Sequence, residues 1–176
     1  VHAPLRKDLG VDVDAVRKLI NRNTVMILGS APEYPHGIID PIPELGIVAE
    51  DRKIPLHVDA CLGGFLLPFM EKLGHDLPRW DFRVPGVTSI SADAHKYAFS
   101  AKGASVILYR SVEILKHQFF VHENWPGGVF ASPALLGTRP GGAYAAAWAS
   151  IMALGEDGFL ANTAGMMEAV KKLKEG

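Results

Sequence analysis

Apolar residues recur along this chain with two alternating periods. Behind Asp12, the apolar positions Val13, Val16, Leu19 and Ile20 have the spacing of an amphipathic helix, with a carboxylate placed to cap its start. The period fades at Asn21–Asn23, and the short run Val25–Leu28 reads as a buried strand. Gly29–Gly37 is loop, punctuated by Pro32 and Pro35. Asp40-Pro41 has the form of a cap followed by a first-turn proline, and predicts a helix through Leu45, Val48 and Ala49. Ile54–Val58 and Val87–Ala92 are the next strand candidates, ending at Asp59 and Asp93.

Strands that alternate with helices and lie about thirty residues apart predict crossover units and a parallel sheet. Ala104–Tyr109 follows Ala92 after only eleven residues (93–103), too few for a comfortable helical crossover, so this strand is expected to run antiparallel. Glu123–Gly142 has neither period and is expected to be irregular, followed by helical segments at Ala143–Leu154 and Phe159–Lys174. The predicted fold class is α/β, a mostly parallel sheet flanked by helices, in one domain over residues 1–176.

Composition narrows the function. With 48% hydrophobic and 21% charged residues, the chain can bury a core and is not a disordered segment. Its 18 Lys and Arg against 19 Asp and Glu leave no basic excess to drive binding to nucleic acid or anionic lipid. The single cysteine, Cys61, cannot form an internal disulfide, which excludes a disulfide-stapled secreted scaffold and points to a reducing compartment. VHAPLRKDLG has no apolar signal-peptide core and no initiator Met, the form expected of a processed chain or an excised fragment. No run reaches the roughly 20 apolar residues that cross a bilayer; Ala143–Leu154 is too short and is expected to be a buried helix.

In an open parallel sheet, ligands bind beyond the carboxyl ends of the strands. The loops Gly29–Asp40, Asp59–Gly64 and Asp93–Gly103 would meet there, carrying Ser30, His36, Asp59, Cys61, His95, Lys96 and Lys102. A lysine amine at such an edge can form an imine with an aldehyde. An aspartate on a neighbouring strand end could hold a proton on a heterocyclic nitrogen, the pairing that pyridoxal phosphate needs. Each residue also has an ordinary structural reading. A loop lysine is usually a solvated charge, a strand-end aspartate a turn former, Cys61 a small core residue and His36 a turn residue. His57, Asp59, Asp93 and His95 form a second candidate set, for zinc or manganese in a hydrolase, but without a closed spacing motif.

Longer segments carry a resemblance. LHVDACLGGF (56–65), TSISADAHKYAFSAKG (88–103), RNTVMILGSAPEYPHGIIDPIPEL (22–45) and QFFVHENWPGGVFASPALLGTRPGG (118–142) resemble the sphingosine-1-phosphate lyases, within the pyridoxal-phosphate-dependent, amino-acid-decarboxylase-like enzymes. HVDA alone is common to that larger group. Its combination with SADAHKY and ASPALLGTRPGG is specific to the lyase branch. The resemblance implies an aspartate-aminotransferase-type large domain, of which residues 1–176 would be the central part. An upstream segment and a C-terminal small domain would lie outside it.

Position by position, the resemblance implies that Lys96 is the Schiff-base lysine and that Asp59 pairs with the pyridine nitrogen of pyridoxal 5'-phosphate. Cys61 falls where a small residue lies against the cofactor ring, and His95 beside the lysine, near the cofactor phosphate. Ser132 is the candidate for completing a neighbouring subunit's phosphate site in a homodimer, and Lys102 faces cofactor or substrate phosphate. The implied reaction is retro-aldol cleavage of a phosphorylated sphingoid base to a fatty aldehyde and phosphoethanolamine. Lys96 or His95 would be the base for the C3 hydroxyl. A decarboxylase of the same family and a catalytically silent fragment are the alternatives. Location is open between the cytoplasm and, through an anchor upstream, the endoplasmic-reticulum membrane. Two positions depart from the family pattern: Ala98 stands where a glycine is usual, and Ala101 where a proline is. Ala98 is expected to restrict the loop, because only glycine readily takes a positive φ.

Overall fold

The structure, a computed structural model, describes all 176 residues. Helix α1 (Val13–Leu19) starts where the capping signal places it, with the Ala15 amide donating to Asp12 Oδ1 at 3.0 Å. Strand β1 covers Ile27–Ser30, two residues later than the apolar run suggests. Val25 and Met26 are exposed, and Gly29 and Ser30 continue the strand because they pair with β2 (Leu56–Asp59). Between them lies α2 (Ile42–Arg52). Its N-cap is Pro41 and not Asp40, whose carboxylate instead accepts from the amides of Ser30 (2.8 Å) and Val11 (3.1 Å). Asp40 thereby ties the end of β1 to the N-terminal segment.

A single 3-10 turn at Gly63–Phe65 leads into α3 (Leu67–Lys72), and the chain returns as β3 (Val87–Asp93) and β4 (Ser105–Tyr109). The four strands form one sheet in the order β1-β2-β3-β4, parallel throughout except for the antiparallel β3–β4 pair. The short connection from β3 to β4 produces that reversal.

One face of the sheet carries the core. Ile27, Leu56, Val58, Val87 and Ile90 pack against Ile42, Leu45, Val48 and Ala49 of α2 and Leu67 of α3. Each such fully buried side chain stabilises the fold by about 1.5–3 kcal/mol. Helix and sheet can approach closely because Gly46 and Gly86 touch backbone to backbone; a Cβ on Gly86 would lie 2.3 Å from the Gly46 carbonyl oxygen. Register places Leu28, His57, Ser89 and Tyr109 together on the opposite face, followed by Ser30, Asp59, Ser91 and Ile107.

After α4 (Val112–Leu115), one strand precedes the stretch expected to be irregular, Glu123–Gly142, and a second lies within it. β5 (Phe120–His122) and β6 (Phe130–Ser132) form a separate antiparallel hairpin, with Trp125 set edge-on against Phe130 at 6.2 Å. Six residues of strand at the ends of a long turn leave too short a period to be read from sequence. The C-terminal helix α5 (Gly142–Glu175) is two helical segments divided at Gly155 (φ 57°, ψ −175°), as the two periodic runs predict, but the first is not the buried helix expected: Ala147 is buried, while Tyr144, Trp148 and Met152 are exposed. It closes a second cluster, in which Ala147 and Phe159 pack on Ala94, Ala98 and Ala104. Ala98 is fully buried there and does not take a positive φ; Phe99 does (φ 57°). Ser150 of α5 donates to the carbonyls of both residues, at 3.1 and 3.2 Å, so that the turn is clamped from the helix and needs no glycine at position 98. No helix is long and apolar enough to cross a membrane.

Candidate active site

Parallel pairing brings the carboxyl ends of β1, β2 and β3 to one edge, where Ser30, Asp59 and Ser91 stand side by side in register. The chain turns sharply after each strand. Cys61 N–H donates to Asp59 Oδ1 at 3.0 Å, and the Asp93 amide donates back to the Cys61 carbonyl at 3.2 Å. These bonds fasten the turn after β2 to the end of β3. Gly63 lets the same turn sit against β1's loop, since a Cβ there would meet the Ala31 carbonyl oxygen at 2.1 Å.

Asp93, His95 and Lys96 follow in a turn, and Lys96 Nζ lies 2.8 Å from Asp93 Oδ2. His95 Nδ1 is 2.9 Å from the Ala104 carbonyl oxygen, which can only accept, so the proton is on Nδ1. His95 Nε2 is then 3.6 Å from Asp93 Oδ2. Ser105 Oγ also donates to Asp93. Partial burial works against the Asp93 charge, but the bonds from Lys96 and Ser105 outweigh it and hold the carboxyl below the ordinary aspartate range. Burial likewise opposes the Lys96 charge, and Asp93 and the Cys61 sulfur reverse that effect, raising its pKa above the ordinary lysine value. The Cys61 thiol adjoins both Lys96 and Asp59; burial, which disfavours the thiolate, pushes its pKa up despite Lys96.

Asp59 receives two hydrogen bonds, from the Cys61 amide and from Ser91 Oγ (3.3 Å), and both fall on Oδ1. Oδ2 is neither used nor sealed from solvent, the only buried and unpartnered side-chain polar atom being Trp80 Nε1. The edge therefore presents an amine, a free carboxylate oxygen and a small thiol between them. This donor set fits pyridoxal phosphate. Lys96 can bond the aldehyde, and Asp59 Oδ2 can accept a hydrogen bond from a protonated ring nitrogen.

Other expected residues lie apart from this cluster. His36 is exposed and contacts Glu33 Oε1 at 3.2 Å. Lys102 is exposed in the turn before β4. Ser132 lies in the separate hairpin and donates to the Ala134 carbonyl at 2.8 Å. The four candidate metal ligands do not gather into a metal-binding group. His57 has both ring nitrogens engaged, by Ser89 Oγ at 2.8 Å and Ser91 Oγ at 3.2 Å. Sequence reasoning missed Ser89, Ser91 and Ser105. For the first two, the signal was the alternation in TSISAD, which sets Ser89, Ser91 and Asp93 on one face of a strand.

This fold and this edge define the class. The chain belongs to the pyridoxal-dependent decarboxylase family, whose conserved domain matches residues 18–176. Within it, the chain is 57% identical to the sphingosine-1-phosphate lyase of Arabidopsis thaliana over 98% of its own length, and 51% identical to sphingosine-1-phosphate lyase 1 of Rattus norvegicus over 99%. It spans 32% and 31% of those proteins' lengths. Among solved structures, the sphingosine-1-phosphate lyase of Burkholderia pseudomallei superposes with a TM-score of 0.90 at 48% identity, over 94% of this chain and 38% of that one. Glutamate decarboxylase of Lactobacillus brevis superposes with a TM-score of 0.82 at 25% identity, over 98% of this chain and 40% of that one. The cofactor of the family is pyridoxal phosphate.

Proposed function

We propose that the complete protein is a pyridoxal-phosphate-dependent lyase that cleaves the C2–C3 bond of a phosphorylated sphingoid base, giving a fatty aldehyde and phosphoethanolamine. The observation that carries this reading is the placement of Asp59 at the end of β2 and Lys96 in the turn after the neighbouring β3, with Cys61 beside both, in a chain 57% identical to a sphingosine-1-phosphate lyase. When bound, the cofactor supplies an aldehyde that condenses with amines and an electron-poor ring that accepts the electrons of a breaking bond. Lys96 would hold the cofactor through its aldehyde. Asp59 would keep the proton on the ring nitrogen, and Cys61 would lie against the ring. Lys96, or His95 beside it, would take the proton of the substrate's C3 hydroxyl. Lys102 and His95 serve phosphate groups.

The chain acts as the central part of a larger cofactor-binding domain. Support comes from β4, where Val106, Ile107 and Leu108 are 41%, 44% and 50% exposed although they are apolar and belong to a sheet whose other strands carry the core. A further segment over that strand would bury them. The β5–β6 hairpin exposes Phe119, Phe120, Val121, Trp125, Val129 and Leu136 in the same manner, the surface expected of a homodimer interface. From it, Ser132 reaches the partner's cofactor phosphate.

Product analysis tests the reaction. Incubation of the complete protein with a phosphorylated sphingoid base is expected to yield aldehyde and phosphoethanolamine in equal amounts. Release of carbon dioxide from amino acids, with no cleavage of the lipid, would replace this reading by a decarboxylase.

A further inference from the structure

On the open face of the sheet, four side chains from two strands form one continuous hydrogen-bonded row: Ser89, His57, Ser91 and Asp59. Ser91 Oγ donates to Asp59 Oδ1 at 3.3 Å. Having given its only proton to the carboxylate, that hydroxyl accepts from His57 Nε2 at 3.2 Å, so Nε2 carries a hydrogen. His57 Nδ1 is then bare and takes the proton of Ser89 Oγ at 2.8 Å. Every donor points toward Asp59, and only one tautomer of His57 satisfies all three bonds. Burial lowers the His57 pKa, with Asp59 opposing it only in part, which keeps the ring in the neutral form the row requires.

We propose that Ser91 and His57 are positioning residues for the cofactor: through Ser91, they fix the Asp59 carboxylate by Oδ1 and turn Oδ2 outward to the ring nitrogen. The Cys61 amide alone would hold Oδ1 from one side and leave the carboxylate free to rotate about its Cβ–Cγ bond. A second donor, from the next strand, fixes the plane. Neither Ser91 nor His57 touches the reacting atoms. Their effect is on how firmly the ring and its proton are held, and it rests on the assignment of Asp59 made above.

Two measurements on the complete protein test this. In the cofactor-free protein, nitrogen-15 spectra of labelled histidine should show His57 protonated on Nε2 and bare on Nδ1. The opposite tautomer would reverse the row and overturn the proposal without reference to any activity. In cofactor titrations followed by absorbance and fluorescence, Ser91→Ala should bind pyridoxal phosphate about tenfold more weakly, the scale of a lost hydrogen bond to a charged group. Its bound cofactor should shift toward the unprotonated-ring spectrum. Ser91→Thr keeps the hydroxyl and should restore both. Wild-type affinity and spectrum in Ser91→Ala would overturn the positioning role alone. A wild-type protein that binds no cofactor would overturn the assignment of Asp59 itself, and this inference with it.

Discussion

Lys96 Nζ and Asp93 Oδ2 stand 2.8 Å apart, three residues along the same turn, and the carboxylate holds the amine in its charged form. An amine must lose its proton before it can bond an aldehyde. Loss of the Asp93 charge should therefore ease that deprotonation. Replacing it as Asp93→Asn should lower the Lys96 pKa and move the midpoint of cofactor uptake to lower pH. An unchanged midpoint would show that the pair does not control the amine.

The same pair sets a stability window. Asp93 titrates below its ordinary value in the folded protein, so its contribution is present above the unfolded pKa of about 3.9 and disappears as pH falls through the folded value. Lys96 titrates above its ordinary value, so its contribution is present below the unfolded pKa of about 10.4 and disappears as pH rises through the folded value. Wild type should exceed Asp93→Asn by on the order of 1 kcal/mol between those limits. Melting curves across pH would reveal this, and the two proteins should converge at the acid extreme.

Asp59→Asn keeps the shape of the side chain and its Oδ1 contacts but removes the charge. The protein should fold with a melting temperature close to wild type while losing on the order of 10²–10³ in turnover, the scale of a lost charge-assisted bond in the transition state. Near-normal turnover at saturating cofactor would remove Asp59 from its role.

Gly63→Ala should damage the site through packing alone. The new Cβ would fall 2.1 Å from the Ala31 carbonyl oxygen and 2.6 Å from Leu67 Cδ1, and backbone cannot yield as a flexible side chain does. A loss of about 1–3 kcal/mol in denaturant unfolding is expected. Unaltered stability would mean that the turn after β2 and the loop after β1 are not pressed together.

If active sites are shared across a dimer, Lys96→Ala and Ser132→Ala proteins, each impaired alone, should regain part of the activity when mixed. One site of the mixed dimer then contains both residues. No recovery after verified subunit exchange, or an active monomer by light scattering, would sink the shared site.

Much of the fold was legible because local chemistry and tertiary packing agree. Asp12 caps α1, the alternating strands and helices give the parallel sheet, and the short link after Asp93 forces β4 to reverse. Legibility failed where a distant partner decided the outcome. Asp40 looks like a helix cap, yet it is drawn away by the amides of Val11 and Ser30. β6 needs β5 across a long turn, and no three-residue run announces that pairing. The backbone demand expected at Ala98 falls on Phe99, where α5 contacts it from fifty residues away. At the site, the residue types of Asp59, Cys61 and Lys96 could be picked out from their strand ends. The serines hydrogen-bonded around them were not singled out, since a serine on a strand is ordinarily a solvated polar position. Only the alternation in TSISAD set Ser89 and Ser91 on the face of Asp93.

The central claim is that Lys96 is the cofactor-bearing lysine, and borohydride reduction tests it most directly. The complete protein, loaded with pyridoxal phosphate, reduced, digested and mapped by mass spectrometry, should carry the phosphopyridoxyl group on Lys96 in the peptide containing SADAHKY. A label on Lys102 instead, or loaded protein with Lys96 unmodified, would contradict the account.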